Sequence, residues 1–304
     1  MRLQFQFLET VNGLDNSNLQ IIPRIRQQLG EATTAPGMVM ISLSAVALGA
    51  AFGGYLPLIS LWMETFNISF QKIGIVCGAS AVGVVSSAYY APKLAARYGY
   101  IATINVGLVV AAIMTVAFRF TDNYGLWLAL RFVSGLGLGL HWVLTEAWLA
   151  NIVTEKYRTR VMAIYATAIS IGFAVGPMVI WLFGALSIIP FIIMGALLIL
   201  AALPILRLKG HEPKDSQTRS ASPLILIKKA PTVASACIVV GSVDLALISL
   251  LPAMITRTPE AAPILALIIV PAMAIGATIL QYPIAIIADK HGLRKVGVIT
   301  VCAG

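Results

Sequence analysis

Charge is scarce in this sequence. Asp, Glu, Lys and Arg make up 11% of its 304 residues, where a soluble domain carries about 25%. A water-soluble chain of this length cannot hide a 59% apolar composition in one core. The lack of charge therefore excludes an ordinary soluble enzyme or binding module and calls for a bilayer as solvent. Acidic residues are scarcer than basic ones, 12 against 21, for a net charge of +9. The basic residues recur in short clusters rather than on one face or tail, which argues against nucleic acid as a partner and for a role in membrane topology. Cysteine is rare too. Cys77, Cys237 and Cys302 lie far apart in apolar segments, so neither a disulfide framework nor a metal spacing follows. Of the three histidines, His211 and His291 fall in polar connections without ligand spacing. A polytopic membrane enzyme would gather His, Asp or Glu at one interface, and no such centre, metal site or cofactor motif is present.

What the sequence has instead is long apolar runs. Read as helices of about 20 residues, they fall at 37–63, 71–90, 101–118, 124–149, 161–183, 186–206, 232–255 and 263–288, with a ninth opening near 296. All but four of the 21 basic residues then lie on one side, in the N-terminal tail and in the connections after the second, fourth, sixth and eighth spans. The exceptions are Lys72, Arg119 and Arg257 on the other side and Arg131 inside a span. By the positive-inside rule the N-terminus is cytoplasmic. The fold class expected is an all-α membrane protein. Residues 1–36 form a polar tail, read either as disordered or as sequence upstream of a start at Met38 or Met40. A six-helix bundle spans 37–206, a cytoplasmic linker 207–231, and an incomplete second bundle 232–304, as in a truncated chain. No signal peptide is recognisable in the tail.

The two halves repeat. GGYLPLISLW in the first span and DLALISLLPAM in the seventh each carry a proline in the outer half, Pro57 and Pro252. The stretches after the second and eighth spans also align, Leu94 to Gly99 with Ile287 to Gly292. With these features the chain resembles the major facilitator superfamily. Its loop pattern G-x-L-a-D-r-x-G-r-k is met at Asp289, Lys290, Gly292, Arg294 and Lys295, and in part at Leu94, Arg97 and Gly99. Pro92 and Ala96 depart from that pattern in the first copy. R-x-x-x-G-x-G is met by Arg131, Gly135 and Gly137, and the R-G-R loop by Arg158-Thr159-Arg160. G-x-x-x-G-P, frequent in exporters, is met by Gly172, Gly176 and Pro177, although Ile180 and Trp181 replace the glycine pair that follows. RFVSGLGLGLHWVLTEAWL is similar to the bacterial YcaD-like branch. The resemblance implies two six-helix halves rocking around a central site. Arg97, Gly99, Asp289, Lys290, Gly292 and Arg294 would then be gating residues, the first pair weakened by Ala96.

Charges and glycines inside the fourth span need a reason. Arg131, Gly135, Gly139 and Trp142 share a helix face. Gly135 and Gly139, like Gly172, Gly176 and Pro177 in the fifth span, are expected to let helices approach closely. An ionised Arg131 within the bilayer costs about 2.5–3.5 kcal/mol on insertion scales and must find a partner. It is either bonded to backbone carbonyls, or it tunes protonation or holds an anionic group. Glu146 lies about 22 Å further along the helix, near the cytoplasmic surface, and forms either an interfacial ion pair or a substrate contact. His141 is either a buried neutral residue or a proton relay. Asp244, halfway along the seventh span and opposite uncharged Gly49 in the repeat, is the strongest candidate for reversible protonation, the alternative being a structural hydrogen bond. Tyr55 lines the cavity or its mouth, Trp62 the cavity or an aromatic belt, and Glu64 and Arg257 are expected to be solvated at the outer ends. The function expected is secondary transport of a small organic solute, proton-coupled and of exporter type, by a monomer in the cell inner membrane. The rivals are a non-transporting receptor or scaffold and an inactive truncated transporter.

Overall fold

The computed structural model describes residues 36–153, 155–213 and 231–257, together with 265, 268–276 and 279. Among the described residues there is no strand. In lipid a backbone must satisfy its own polar groups, and a single apolar run does so only as a helix. Seven helices result: α1 (Pro36–Glu64), α2 (Phe70–Tyr98), α3 (Tyr100–Ala117), α4 (Tyr124–Ile152), α5 (Glu155–Phe183), α6 (Ile189–Leu206) and α7 (Pro231–Thr256). All seven are long and apolar enough to cross a membrane. The residues described between 265 and 279 are helical and belong to the expected eighth span. The ninth span and the tail 1–35 lie outside the described residues. Local signals fix the helix ends. Asn123 Oδ1 accepts the Leu126 N–H at 3.0 Å and caps α4. Pro190 sits in the first turn of α6, where its missing N–H costs nothing.

Two helices run beyond their apolar stretches. The second was expected to end at 90 and the fifth to begin at 161, but α2 continues to Tyr98 and α5 starts at Glu155. Apolar length measures the hydrocarbon slab, whereas helical hydrogen bonding continues through the interface. Arg97 therefore lies in the last turn of α2, and Arg158 and Arg160 lie on the first turns of α5 rather than in a loop. Gly99 alone joins α2 to α3. Its φ of 85° is left-handed backbone that favours glycine, and its N–H bonds Ala95 O at 2.9 Å.

α1 is the central helix. It packs between α5 and α6, while α4 lies along both α2 and α3, and α3 also meets α6. The α1–α5 seam is built from glycine on both sides. Gly172 and Gly176 face the α1 backbone around Val46 to Gly54, and Gly49 and Gly53 face Ile169 and Phe173. Gly135 and Gly139 seat α4 on α2 at Ser80 and at Val84 and Ser87. Gly137 points the other way, against Gly107 of α3. Two apolar cores follow, one towards each membrane face. Tyr100, Trp148 and Tyr165 anchor the core on the side of the basic clusters, here called the basic side. On the far side Trp127 stacks on Phe118 at 5.6 Å among Trp62, Phe191 and Met194.

The start of α3 has an unexpected partner. The Tyr100 N–H donates to Glu212 Oε2 at 2.9 Å, across 112 positions of sequence. This carboxylate, from the segment after α6, meets an orphan N–H and the positive end of the α3 dipole. Ala96 leaves the first loop copy without its carboxylate, and Glu212 supplies one at the same junction. Glu212→Ala is expected to cost about 1 kcal/mol and to lower the thermal midpoint in detergent. Unchanged unfolding would show that the contact contributes nothing.

Candidate functional site

Arg131 is fully buried between α1, α2 and α4. Its Nη2 donates to Ser80 Oγ at 2.8 Å, and its guanidinium lies 4.9 Å from the centre of the Tyr55 ring. Its Nε and Nη1 have no hydrogen-bond partner. The backbone-carbonyl partners considered from sequence are absent. Tyr55, expected at the cavity, is itself only 2% exposed. Its hydroxyl lies beside Thr115, Arg131 and Ser134 without completing a bond to any of them.

His141 ties three helices together. Ser44 Oγ donates to Ala201 O at 2.7 Å and lies 2.8 Å from His141 Nε2. A serine has one proton, and a carbonyl can only accept. Ser44 must therefore accept from His141, which fixes the Nε2–H tautomer. The chain His141, Ser44, Ala201 links α4, α1 and α6, with Nδ1 left unpartnered.

Glu146 lies one turn beyond Trp142 on α4, and its Oε1 accepts the Trp142 indole N–H at 2.7 Å. The Trp142 ring meets Phe52 of α1 edge-on at 6.2 Å, and Phe52 meets Phe173 of α5 at 5.5 Å. Tyr165, also near Glu146, bonds Thr145 at 3.0 Å. The structure thus gathers Glu146 with an aromatic cluster from three helices. Sequence reasoning missed Phe52 and Phe173, because phenylalanine in a span reads as generic apolar filling.

The contacts of α7 are concentrated towards its far end, with Ala234 also buried near its start. It packs against α1 and α2 with Ser249, Pro252 and Ala253 buried, whereas 238–244 are exposed throughout. Asp244 falls in that exposed stretch. Ser249 lies beside the Cys77 thiol of α2, and Leu250 faces Gly74. At the far end Arg257 Nε meets Glu64 Oε1 at 2.6 Å, its Nη2 donates to Ile68 O at 3.0 Å, and its guanidinium lies 4.3 Å from the Phe70 ring centre. These two charges were expected to be solvated separately. They pair because α7 leans onto α1 at that face, and bonding to Glu64 raises the Arg257 pKa further above its ordinary value.

Arg97 and Gly99 close the basic end of α2, with the Arg97 guanidinium 5.3 Å from the Tyr98 ring centre. Asp289, Lys290, Gly292 and Arg294 lie outside the described residues. Among the described residues no group of three or more His, Cys, Asp or Glu could hold a metal ion.

Residues 41–304 match the Major Facilitator Superfamily. The chain belongs to that superfamily. Among curated proteins it is similar to the "Uncharacterized MFS-type transporter YfkF" of Bacillus subtilis (strain 168), at 26% identity over 273 residues, which is 88% of this chain and 68% of YfkF. It is also similar to the "Uncharacterized MFS-type transporter YcaD" of Salmonella enteritidis PT4, at 23% identity over 261 residues, covering 84% of this chain and 65% of YcaD. Across the curated relatives compared, the chain spans between 55% and 68% of their length. Among solved structures it is similar to the superfamily's proton:xylose symporter XylE bound to 6-bromo-6-deoxy-D-glucose. The TM-score is 0.58 at 17% identity, over 84% of this chain and 70% of XylE. A further D-xylose-proton symporter structure gives a TM-score of 0.56 at 19% identity, covering 83% and 69% of the two chains. At such identity these structures establish the fold. The relatives are transporters of that superfamily rather than enzymes, and the apolar helices make the chain a multi-pass membrane protein.

Proposed function

We propose that the protein is a secondary active transporter of a small organic solute, acting as a monomer in the cell inner membrane with its N-terminus cytoplasmic. It works by alternating access, draws on the proton gradient and moves its solute outward. The observation that supports this most is the grip of α7 at the far side. The first helix of the second half closes on α1 and α2 at the far side, through Ser249, Leu250 and the Arg257–Glu64 pair. Between these contacts and the buried Ala234 near its other end, it presents 238–244 uncovered. Contact concentrated at one face gives a join about which the two halves can rock, as alternating access requires.

Proton coupling draws on Asp244 and Arg131 inside the spans, with His141 as a less accessible group. It also draws on the fold shared with proton:xylose and D-xylose-proton symporters. The outward direction draws on the Gly172, Gly176, Pro177 pattern of α5. Glu146, with Trp142, Phe52 and Phe173, provides a polar group on an aromatic floor for a solute entering from the basic side.

The test is reconstitution. A solute is first selected by thermal stabilisation of the purified protein against a library of metabolites and drugs. In proteoliposomes it should then accumulate against its gradient when a pH difference is imposed, and stop when an ionophore removes that difference. A solute that stabilises the protein but never crosses would leave a receptor and overturn the transport reading.

A further inference from the structure

Four unfilled donors lie along one buried region that holds a positive charge. Arg131 Nε and Nη1, the Tyr55 hydroxyl and the Ser249 hydroxyl are all buried and all lack a hydrogen-bond partner. They come from α4, α1 and α7. α2 links them: Ser249 lies beside Cys77, and Arg131 bonds Ser80 one turn further along.

The neighbouring hydroxyls are neutral and already committed. Ser80 donates to Cys77 O at 3.0 Å, Ser134 to Arg131 O at 2.9 Å and Thr115 to Ala111 O at 2.8 Å. Each offers only a lone pair. Among the described residues no carboxylate pairs with Arg131; its contacts are Ser80 and the Tyr55 ring. A guanidinium held in a dry site with only neutral neighbours carries a large uncompensated desolvation cost. The arrangement is rich in donors and positive in charge, which is the complement of an anion.

We propose that Arg131, Tyr55 and Ser249 form an occluded site for a small monovalent anion, either a halide or the carboxylate of a solute. The site is complete only when α7 rests on α1 and α2, because Ser249 belongs to α7. The anion therefore bridges the first bundle and the first helix of the second half, and its binding favours the far-side-closed state. This deepens the transport reading by assigning a charge to the solute or its co-ion, and it rests on that reading only for its place in the cycle.

The test is a titration of the purified protein in detergent, at constant ionic strength with a bulky sulfonate, the MES anion, as the bulk anion. The thermal midpoint is read as chloride or acetate replaces MES. A saturable rise is expected in one arm. Chloride alone would identify a halide site, and acetate with or without chloride a carboxylate-compatible one. Arg131→Gln should abolish the response. Should that variant fail to fold, Ser249→Ala keeps the arginine and should weaken the apparent affinity by about tenfold. Identical midpoints in all three salts, or a response unchanged in Ser249→Ala, would overturn the proposal. Binding without solute movement would keep this site and reject the transport reading, whereas gradient-driven movement in a protein blind to both anions would do the reverse.

Discussion

Gly176→Val is expected to destabilise the protein by about 3 kcal/mol and to leave little monodisperse material in detergent. A Cβ at this position falls on Ala50 O and Gly54 N of α1. Both are main-chain atoms of α1, so neither can rotate away as a side chain would. The strain must be relieved by separating α1 from α5. α1 is the most enclosed span, with 67% of its most apolar window buried against 17% for α7, so separation reaches the whole bundle. The matching change at Gly78 is the control. That position has open space around it, and Gly78→Val should shift stability by no more than about 0.5 kcal/mol. Thermal unfolding and size-exclusion profiles of the two variants, side by side, check the pair. Equal behaviour would mean that the α1–α5 seam tolerates separation.

Asp244→Asn is expected to reduce proton-driven accumulation by about a hundredfold while leaving solute exchange at equal pH intact. Among the described residues, only Glu146 and Asp244 place a carboxylate within the interior of a span. Glu146 is engaged by the Trp142 indole. Asp244 is exposed on the stretch of α7 that the first bundle leaves uncovered, where water can deliver or remove a proton. A neutral isostere keeps the shape and removes the titration. Glu146→Gln should instead weaken solute binding without uncoupling. The measurement is accumulation under an imposed pH gradient beside counterflow without one. Full uphill transport by Asp244→Asn would move the coupling group elsewhere.

The apolar runs located the helices well, because hydrophobic length and the need to bond the backbone internally point to the same residues. They misplaced the ends of α2 and α5, where the helix outlives the apolar slab. Gly135, Gly139, Gly172 and Gly176 stood out in the sequence as small residues at helical spacing. Their partners Gly49 and Gly53 did not, since a glycine on α1 acquires meaning only when a second helix is laid against it. Arg131 was visible as an anomaly, but its surroundings were not. Ser80, Tyr55 and Ser249 come from other helices, and serine in an apolar run is unremarkable until a charge faces it. The same holds for Arg257 and Glu64, separated by 193 positions, and for Glu212 at the start of α3. Sequence patterns report periodicity along one helix. They carry little about which helices meet, and polar contacts in a membrane bundle lie almost wholly between helices.

The single hydroxyl proton of Ser44 has a mechanical implication. By donating to Ala201 and receiving from His141, it works as a rivet through three rods at the bundle's centre. Sliding any of the three would strand a polar group in hydrocarbon, so this part of the molecule should turn as one stiff body. Compliance is then left to the join with α7, and a strain sensor placed there would register the working stroke while one placed across the rivet would stay silent.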